Sequence, residues 1–327
     1  MTRRRALVAL LADGELHSGE ALARTLGVTR AAVARQVRGL AAWGLGVESL
    51  PRRGYRLPAR IDFLDAARIQ ATLTTTTRSR LDRLEVIDEL QSTNARLLAE
   101  TDLAPGRFRV CLAEFQSDGR GRRGRAWIQP FGSGLCLSFA WSFASTPRSP
   151  GALSLVAGIA TLRALGRHGI RGLALKWPND VLLAGAKLGG ILSELRLEAA
   201  GPAYVVIGIG LNVRLSSEAK AAIAAAGGLP PADLTGGAVP ERTPLAAALV
   251  DELCAAASLY EQQGFAPFAV EWSGADALRD RPVRVNFHDS AKDGVARGVG
   301  ADGALKVEIG GRLETLSSGE VTLRAVA

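Results

Sequence analysis

An α+β chain of several units is what the sequence predicts. Three patterns carry that expectation. The first 60 residues read as short capped helices followed by a hairpin, strand and helix patterns then mix from about 80 to 272, and short strands with glycine turns follow from 281. The boundaries fall at 1–60 for an N-terminal winged helix-turn-helix, 61–79 for a linker helix, 80–272 for a central α/β domain and 273–327 for a small β domain. A length of 327 residues with 47% hydrophobic side chains is ample for more than one core.

The elements follow in order. Residues 3–12 read as a first helix. Ser18 is placed to cap a second, which Gly27 ends, and Thr29 to cap a third running from Arg30 to about Trp43. Val33, Val37 and Leu40 share the inner face of that third helix, while Arg35 and Arg38 fall opposite. Val47–Leu50, a Pro51–Gly54 tip and Tyr55–Leu57 form a short hairpin, the wing. Residues 62–73 predict the linker helix, and Thr74–Thr77 a polar break. In the central block Leu84–Leu90 and Val110–Phe115 read as strands. Leu135 to Phe143 alternates with small residues, a strand with one strongly buried face. Leu153–Arg167 and Pro244–Glu261 are helices, and Ala203–Val213 is a buried strand. Gly227–Pro244, rich in glycine and proline, predicts a mobile loop. Toward the end, Asp302-Gly303 and Gly310-Gly311 mark hairpin turns of a small all-β barrel.

Charge separates the units. Residues 1–60 hold eleven arginines and four acidic side chains, so they carry +7 of the formal net +8. A compact basic segment at one end points to a polyanionic partner, nucleic acid above all. The alternative is a packing module with a solvated arginine face. Three scattered cysteines (111, 136, 254) build neither a disulfide framework nor a zinc site, and they fit a reducing cytoplasm. No run is apolar for long enough to cross a membrane, and no metal-ligating cluster is expected.

The run Gly119-Arg120-Gly121-Arg122-Arg123-Gly124-Arg125, closed by Trp127, carries the most chemistry. Guanidinium forks suit carboxylate and phosphate oxygens, and glycines let backbone approach a ligand. Alone it also reads as an RNA-binding arginine–glycine segment. Its place between two core strands argues for an ordered anion-binding loop. Four further segments accompany it: Ser92-Thr93-Asn94, Lys176-Trp177-Pro178-Asn179-Asp180, Lys187–Leu192 and Gly208–Asn212. Ser92–Asn94 suits a helix cap as well as a polar ligand. The glycines at 208 and 210 sit where a strand must admit a close neighbour. The chain has only five lysines, and two of them, Lys176 and Lys187, fall in these segments.

Together with Ser318–Arg324 and the basic N-terminal unit, these motifs resemble those of bifunctional biotin–protein ligases that also act as biotin operon repressors. The resemblance spans essentially the whole chain. It implies a central domain related to class II synthetases and lipoate ligases, and a C-terminal SH3-like barrel. The activity implied joins biotin and ATP into biotinyl-5′-AMP, with Mg²⁺ shielding the triphosphate. Biotin then passes to a lysine of the biotin carboxyl carrier domain of acetyl-CoA carboxylase. A homodimer formed on biotinyl-AMP binding would hold operator DNA. The alternatives are a ligase with a non-regulatory N-terminal domain and a lipoate–protein ligase.

By the same resemblance, Ser92, Thr93, Asn94, Gln116, Arg120, Gly121, Arg122 and Lys187 contact biotin. Arg122, Lys187 and Asp180 are the catalytic candidates. Arg123, Arg125, Lys176, Asn179 and Asn212 meet ATP or the adenylate, and Glu320 and Arg324 reach it from the barrel. Arg30, Arg35, Gln36, Arg38, Arg52 and Arg53 face DNA. One departure is visible. Relatives carry an adenine-stacking tryptophan after the Gly-Asn strand, whereas residues 212–244 here contain no aromatic side chain. Leu229 or the Pro230-Pro231 pair is the expected replacement.

Overall fold

The N-terminal unit forms where its caps place it. The computed structural model describes residues 2–100, 102–197, 202–237, 239–287, 290–317 and 322–325, with 197 and 322–325 by backbone alone. Helices α1 (Arg3–Leu11), α2 (Gly19–Leu26) and α3 (Arg30–Gly39) begin at Thr2, Ser18 and Thr29. Each cap hydroxyl accepts a first-turn N–H that the helix itself leaves unpaired. Gly27 ends α2 at φ 65°. Helix α3 stops at Gly39, short of the expected Trp43, because a 3₁₀ turn over Leu40–Trp43 drives both of those side chains into the core. Strands β1 (Glu48–Leu50) and β2 (Gly54–Arg56) make the wing, with Arg52 at φ 62° on its tip.

This unit packs on the central one. Trp43 stacks on Phe131 with centroids 4.4 Å apart, and Phe131 N donates to Trp43 O at 2.8 Å. Arg5 Nε donates to Asp88 Oδ1 at 2.9 Å.

The linker differs from its expectation. It forms two helices, α4 (Ala66–Thr72) and α5 (Thr75–Arg80). Thr74 caps the second rather than breaking the first. Its Oγ1 accepts from Thr77 N at 3.2 Å, and Asp251 accepts from Thr74 N at 3.1 Å. Tertiary pairing overrides the weak helix propensity of a threonine run. Ile69 and Leu73 join the central core.

The central unit runs β3 (Leu81–Leu90), α6 (Thr93–Leu98), β4 (Phe108–Gln116), β5 (Gly134–Phe143), α7 (Leu153–Arg167), β6 (Leu173–Lys176), β7 (Asp180–Leu183), β8 (Ala186–Leu197), β9 (Ala203–Asn212), α8 (Ser217–Ala225), α9 (Arg242–Gln263) and α10 (Ala269–Ala275). Its strands form a seven-stranded sheet in the order β3-β4-β5-β9-β8-β7-β6. β3 and β4 pair in parallel, and the remaining neighbours are antiparallel. Leu137, Phe139 and Trp141 of β5 face the core shared with α7 and α9. The small-residue face of β5 is buried too, beneath α6, where Ala140 and Leu97 share a second cluster. The one-sided strand of the sequence reading is thus covered on both sides, and the small residues make room for α6. Arg242 and Glu114, each 1% exposed, pair at 2.8 Å at the base of this unit. Glu114 also accepts Leu64 N at 2.7 Å, which ties linker to sheet.

The Gly227–Pro244 stretch, expected to be mobile, is held at its middle. Lys187 N donates to Pro230 O, Ala232 N donates to Lys187 O, and Asn212 Nδ2 donates to Ala232 O.

The C-terminal unit contains β10 (Pro282–Asn286), β11 (Ala291–Val299), β12 (Leu305–Ile309), β13 (Arg312–Leu316) and β14 (Thr322–Ala325). They form one antiparallel sheet in the order β13-β12-β11-β10-β14. The glycines at 303, 310 and 311 take the positive φ their hairpin turns need. The sheet has an open order rather than the closed ring of the expected SH3-like barrel, for no pairing joins β13 to β14 among the described residues.

Candidate active site

The sheet face opposite α7 and α9 carries a cavity of about 900 Å³. Its floor depends on missing side chains. A Cβ at Gly208 would lie 2.3 Å from Asn94 Oδ1, and one at Gly210 would lie 2.3 Å from the Trp127 indole. The close neighbours that the strand glycines admit are therefore the protein's own Asn94 and Trp127.

One end of the cavity is neutral and polar. Ser92 caps α6 by accepting Ala95 N, so the capping reading holds there. Thr93 and Asn94 line the cavity and are almost wholly buried. Gln116 Oε1 accepts from Thr93 N at 2.8 Å and lies 3.0 Å from Thr93 Oγ1. Cys136, beside them, has its thiol pushed up to about 12 by burial.

The other end is cationic. Arg122, Arg123, Arg125, Lys176 and Lys187 line it, and Asp180 is the one lining carboxylate among the described residues. Asp180 pairs with Lys187 at 2.6 Å and with Lys176 at 3.7 Å. Burial holds the Lys176 ammonium below its usual value, only partly opposed by Asp180. Burial, then the neighbouring Arg123 charge, likewise lowers the Arg122 guanidinium. Both cations thus hold their charge in a partly dehydrated setting, where an approaching anion is attracted more strongly than in water. Lys187 Nζ also sits 5.9 Å from the Trp127 ring centroid.

The arginine–glycine run folds as a closed loop between these ends. Gly121 N donates to Arg125 O at 2.7 Å, and Trp127 N donates to Gly119 O at 2.8 Å. Arg123 (φ 58°) and Gly124 (φ 70°) turn its tip. Arg120 lines the cavity, yet its side chain is 63% exposed and its guanidinium pairs with Asp118.

Asn179 lines the cavity and pins its own turn to β8, donating to Ile191 O at 2.9 Å. Trp177 Nε1 donates to Gly303 O at 3.2 Å, so the C-terminal sheet buttresses the Lys176–Asp180 turn. Asn212 lines the far wall, with a buried Oδ1 that has no partner among the described residues. Glu320 lies outside the described residues, and Arg324 is described only by its backbone opposite Arg284 on β10.

On the N-terminal unit, Arg30, Arg35 and Arg38 on α3 and Arg52 and Arg53 on the wing are all exposed, and Gln36 is half-buried. None of these five arginines has an acidic partner among the described residues.

Comparison with known proteins agrees with both halves. A model described as the Biotin/lipoate A/B protein ligase family matches residues 86–212, and one described as an HTH domain matches residues 3–56. The chain is 39% identical over 321 residues to the bifunctional ligase/repressor BirA of Salmonella typhimurium, covering 98% of this chain and 97% of that protein. The chain belongs to the bifunctional biotin–protein ligase/repressor family. The Escherichia coli protein of the same name is 38% identical over 98% of this chain and 96% of its own length. Among solved structures, biotin protein ligase from Aquifex aeolicus in complex with biotin and ATP is similar in fold, with a TM-score of 0.60 at 23% identity, covering 75% of this chain and 100% of that one.

Within this ligase/repressor, sequence reasoning passed over Ser138 and Glu194, which hold Asn94, and Trp127 as a wall of the site. Only Trp127 had a signal, its place at the end of the arginine–glycine run. The segment without an aromatic residue does reach the cavity, where Leu229 and Pro231 line it.

Proposed function

We propose that the cavity makes biotinyl-5′-AMP from biotin and ATP and then passes biotin to a lysine of a biotin carboxyl carrier domain. The observation that carries this reading is the polarity of the cavity: a neutral hydrogen-bonding end at Ser92, Thr93, Asn94 and Gln116, and an opposite end with five cations around one carboxylate. An uncharged ring system suits the first end, and a carboxylate beside phosphates suits the second. In the first step a biotin carboxylate oxygen bonds to the α-phosphorus of ATP, and pyrophosphate leaves. In the second, the carrier amine attacks the acyl carbon, loses a proton, and AMP leaves.

Both steps gather negative charge, so fixed cations lower their barriers. Arg122 and Lys187 hold carboxylate and phosphate together, with Arg120 and Gly121 closing the loop over biotin. Arg123, Arg125 and Lys176 meet phosphate oxygens, and Asn179 and Asn212 fix the nucleotide side. Asp180, engaged by both lysines, sets the position of Lys187 and faces the incoming amine. Glu320 and Arg324 remain assigned to the nucleotide. Leu229 and Pro231 cover the adenine in place of an aromatic ring. The cavity offers one carboxylate and the unpartnered Asn212 Oδ1, a donor set that fits magnesium carried by the triphosphate rather than by a protein cage. Bound there, Mg²⁺ supplies charge neutralisation of the leaving pyrophosphate.

The exposed arginines of α3 and the wing support a second role on operator DNA, as a homodimer formed when biotinyl-AMP is bound. Arg30, Arg35, Gln36 and Arg38 would enter the groove or meet phosphates at its edge, and Arg52 and Arg53 would touch phosphates from the wing. Three buried free thiols agree with a cytoplasmic setting, and no helix among the described residues is long and apolar enough to cross a membrane.

Incubation with ATP, Mg²⁺ and a carrier domain, offering biotin or lipoate, tests the enzyme. Biotin transfer is expected, and its absence would sink the reading. A gel shift on the upstream DNA, with and without biotinyl-AMP, tests the repressor. Equal binding in both states would leave a ligase with a non-regulatory N-terminal unit.

A further inference from the structure

The polar chain behind Thr93 ends on a carboxylate that the proposed reaction does not use. Glu194 Oε2 accepts from Asn94 Nδ2 at 2.6 Å, and Leu192 O accepts from the same nitrogen at 3.3 Å. Both neighbours on that side only accept. The Asn94 amide is therefore fixed with its nitrogen toward β8 and its oxygen toward β5. Gly208, lacking a side chain, lets the amide lie flat on the strand.

The direction passes along the chain. Ser138, fully buried on β5, donates to Asn94 Oδ1 at 2.5 Å, which uses its only proton. Thr93 Oγ1 lies 2.7 Å from Ser138 Oγ and 3.0 Å from Gln116 Oε1. Ser138 has no proton left to give, and the Gln116 oxygen already accepts Thr93 N. The single Thr93 hydroxyl proton is thus claimed by one of two protein oxygens, and Thr93 turns lone pairs toward the cavity it lines.

We infer that Glu194 is a specificity-determining positioning residue: acting through Asn94 and Ser138, it makes Thr93 Oγ1 a hydrogen-bond acceptor, so this end of the site selects a ligand that presents an N–H there. The inference rests on reading the cavity as the biotin site. Biotin's ureido ring presents such a donor, whereas the dithiolane ring of lipoate has none. A buried acceptor left unpaired by the wrong ligand costs that ligand affinity, and the polarity of one hydroxyl then becomes discrimination.

Two variants separate this role from simple packing or charge. Glu194→Gln can turn its amide oxygen to Asn94 and keep the direction, while removing the negative charge whose field reaches Arg120. Glu194→Met keeps the length of the chain but removes the short bond, leaving Asn94 Nδ2 only the longer one to Leu192 O at 3.3 Å. Position 194 is half-exposed, so neither change threatens the fold. With biotin as varied substrate in the transfer assay, Glu194→Met is expected to raise KM about tenfold with kcat little changed, as loss of one well-made buried hydrogen bond implies. The preference for biotin over lipoate should narrow by the same factor, and Glu194→Gln should stay near the parent. An unchanged KM in Glu194→Met, or equal losses in both variants, would overturn the inference. Absence of biotin transfer by the parent protein would instead remove the proposed function itself.

Discussion

Trp127 lies on Gly210 so closely that a methyl group there would stand 2.3 Å from the indole. The same ring borders Lys187, and its Nε1 donates to Gln129 Oε1 at 2.8 Å. Gly210→Ala must push the ring outward, against a wall of the cavity. Since displacing a reacting group by about 1 Å can cost about 10²-fold, adenylate formation in a single turnover should fall by at least about tenfold. Gly166→Ala on α7 serves as a comparison, because nothing surrounds that Cβ position within 4 Å and it does not line the cavity. Equal adenylation rates in Gly210→Ala and the parent would show that Trp127 is not held by this contact.

How much of this was readable beforehand depended on how local the cause was. Ser18, Thr29 and Gly27 announce helix ends through neighbours a few positions away, and the structure places those ends there. Gly208 and Gly210 announced a close approach but not what approaches. Asn94 and Trp127 are brought to them by sheet register and loop closure, which no short window contains. Ser138 and Glu194 were invisible for the same reason: each is a polar residue in a strand pattern until Asn94 meets both. Thr74–Thr77 was misread because the deciding partner, Asp251, comes from α9.

Arg242 and Glu114 form the most deeply buried ion pair of the central unit, and Arg242 Nη1 also donates to Gly134 O at 3.1 Å. Removing one member leaves the other charge without its partner in the interior. Arg242→Met should therefore lower the unfolding free energy by about 3–5 kcal/mol, read by urea denaturation. A loss below about 1 kcal/mol, the range of exposed pairs, would contradict the burial of this pair.

Lys176 gives stability a pH dependence of known sign. Its folded-state value is lowered by burial, while the unfolded chain keeps the ordinary 10.5. Between the lowered value and 10.5 the unfolded state binds more protons, so stability rises with pH across that window. The cost of the buried ammonium is fully present below it. Lys176→Met should thus melt above the parent near neutral pH, with the difference shrinking toward pH 10.5. Its adenylation rate should nevertheless fall by about tenfold or more, as expected when one preorganised charge is lost. Scanning calorimetry at several pH values checks the first part. A variant that melts lower at neutral pH would show that pairing with Asp180 outweighs burial.

The arginines of α3 and the wing predict a different kind of dependence. Arg35, Arg38 and Arg52 are exposed, and among the described residues no carboxylate pairs with them. If each meets one phosphate, binding to the upstream DNA releases one counterion per contact. Replacing any one of them by alanine should reduce the slope of log K against log salt by about 1, with little change in sequence preference. Gln36, half-buried on the same helix, carries no charge. Gln36→Ala should leave the salt slope in place and weaken discrimination among bases. Fluorescence anisotropy with labelled duplex at several salt concentrations distinguishes the two behaviours. An unchanged slope in Arg35→Ala and Arg38→Ala together would place the DNA contact elsewhere on the protein.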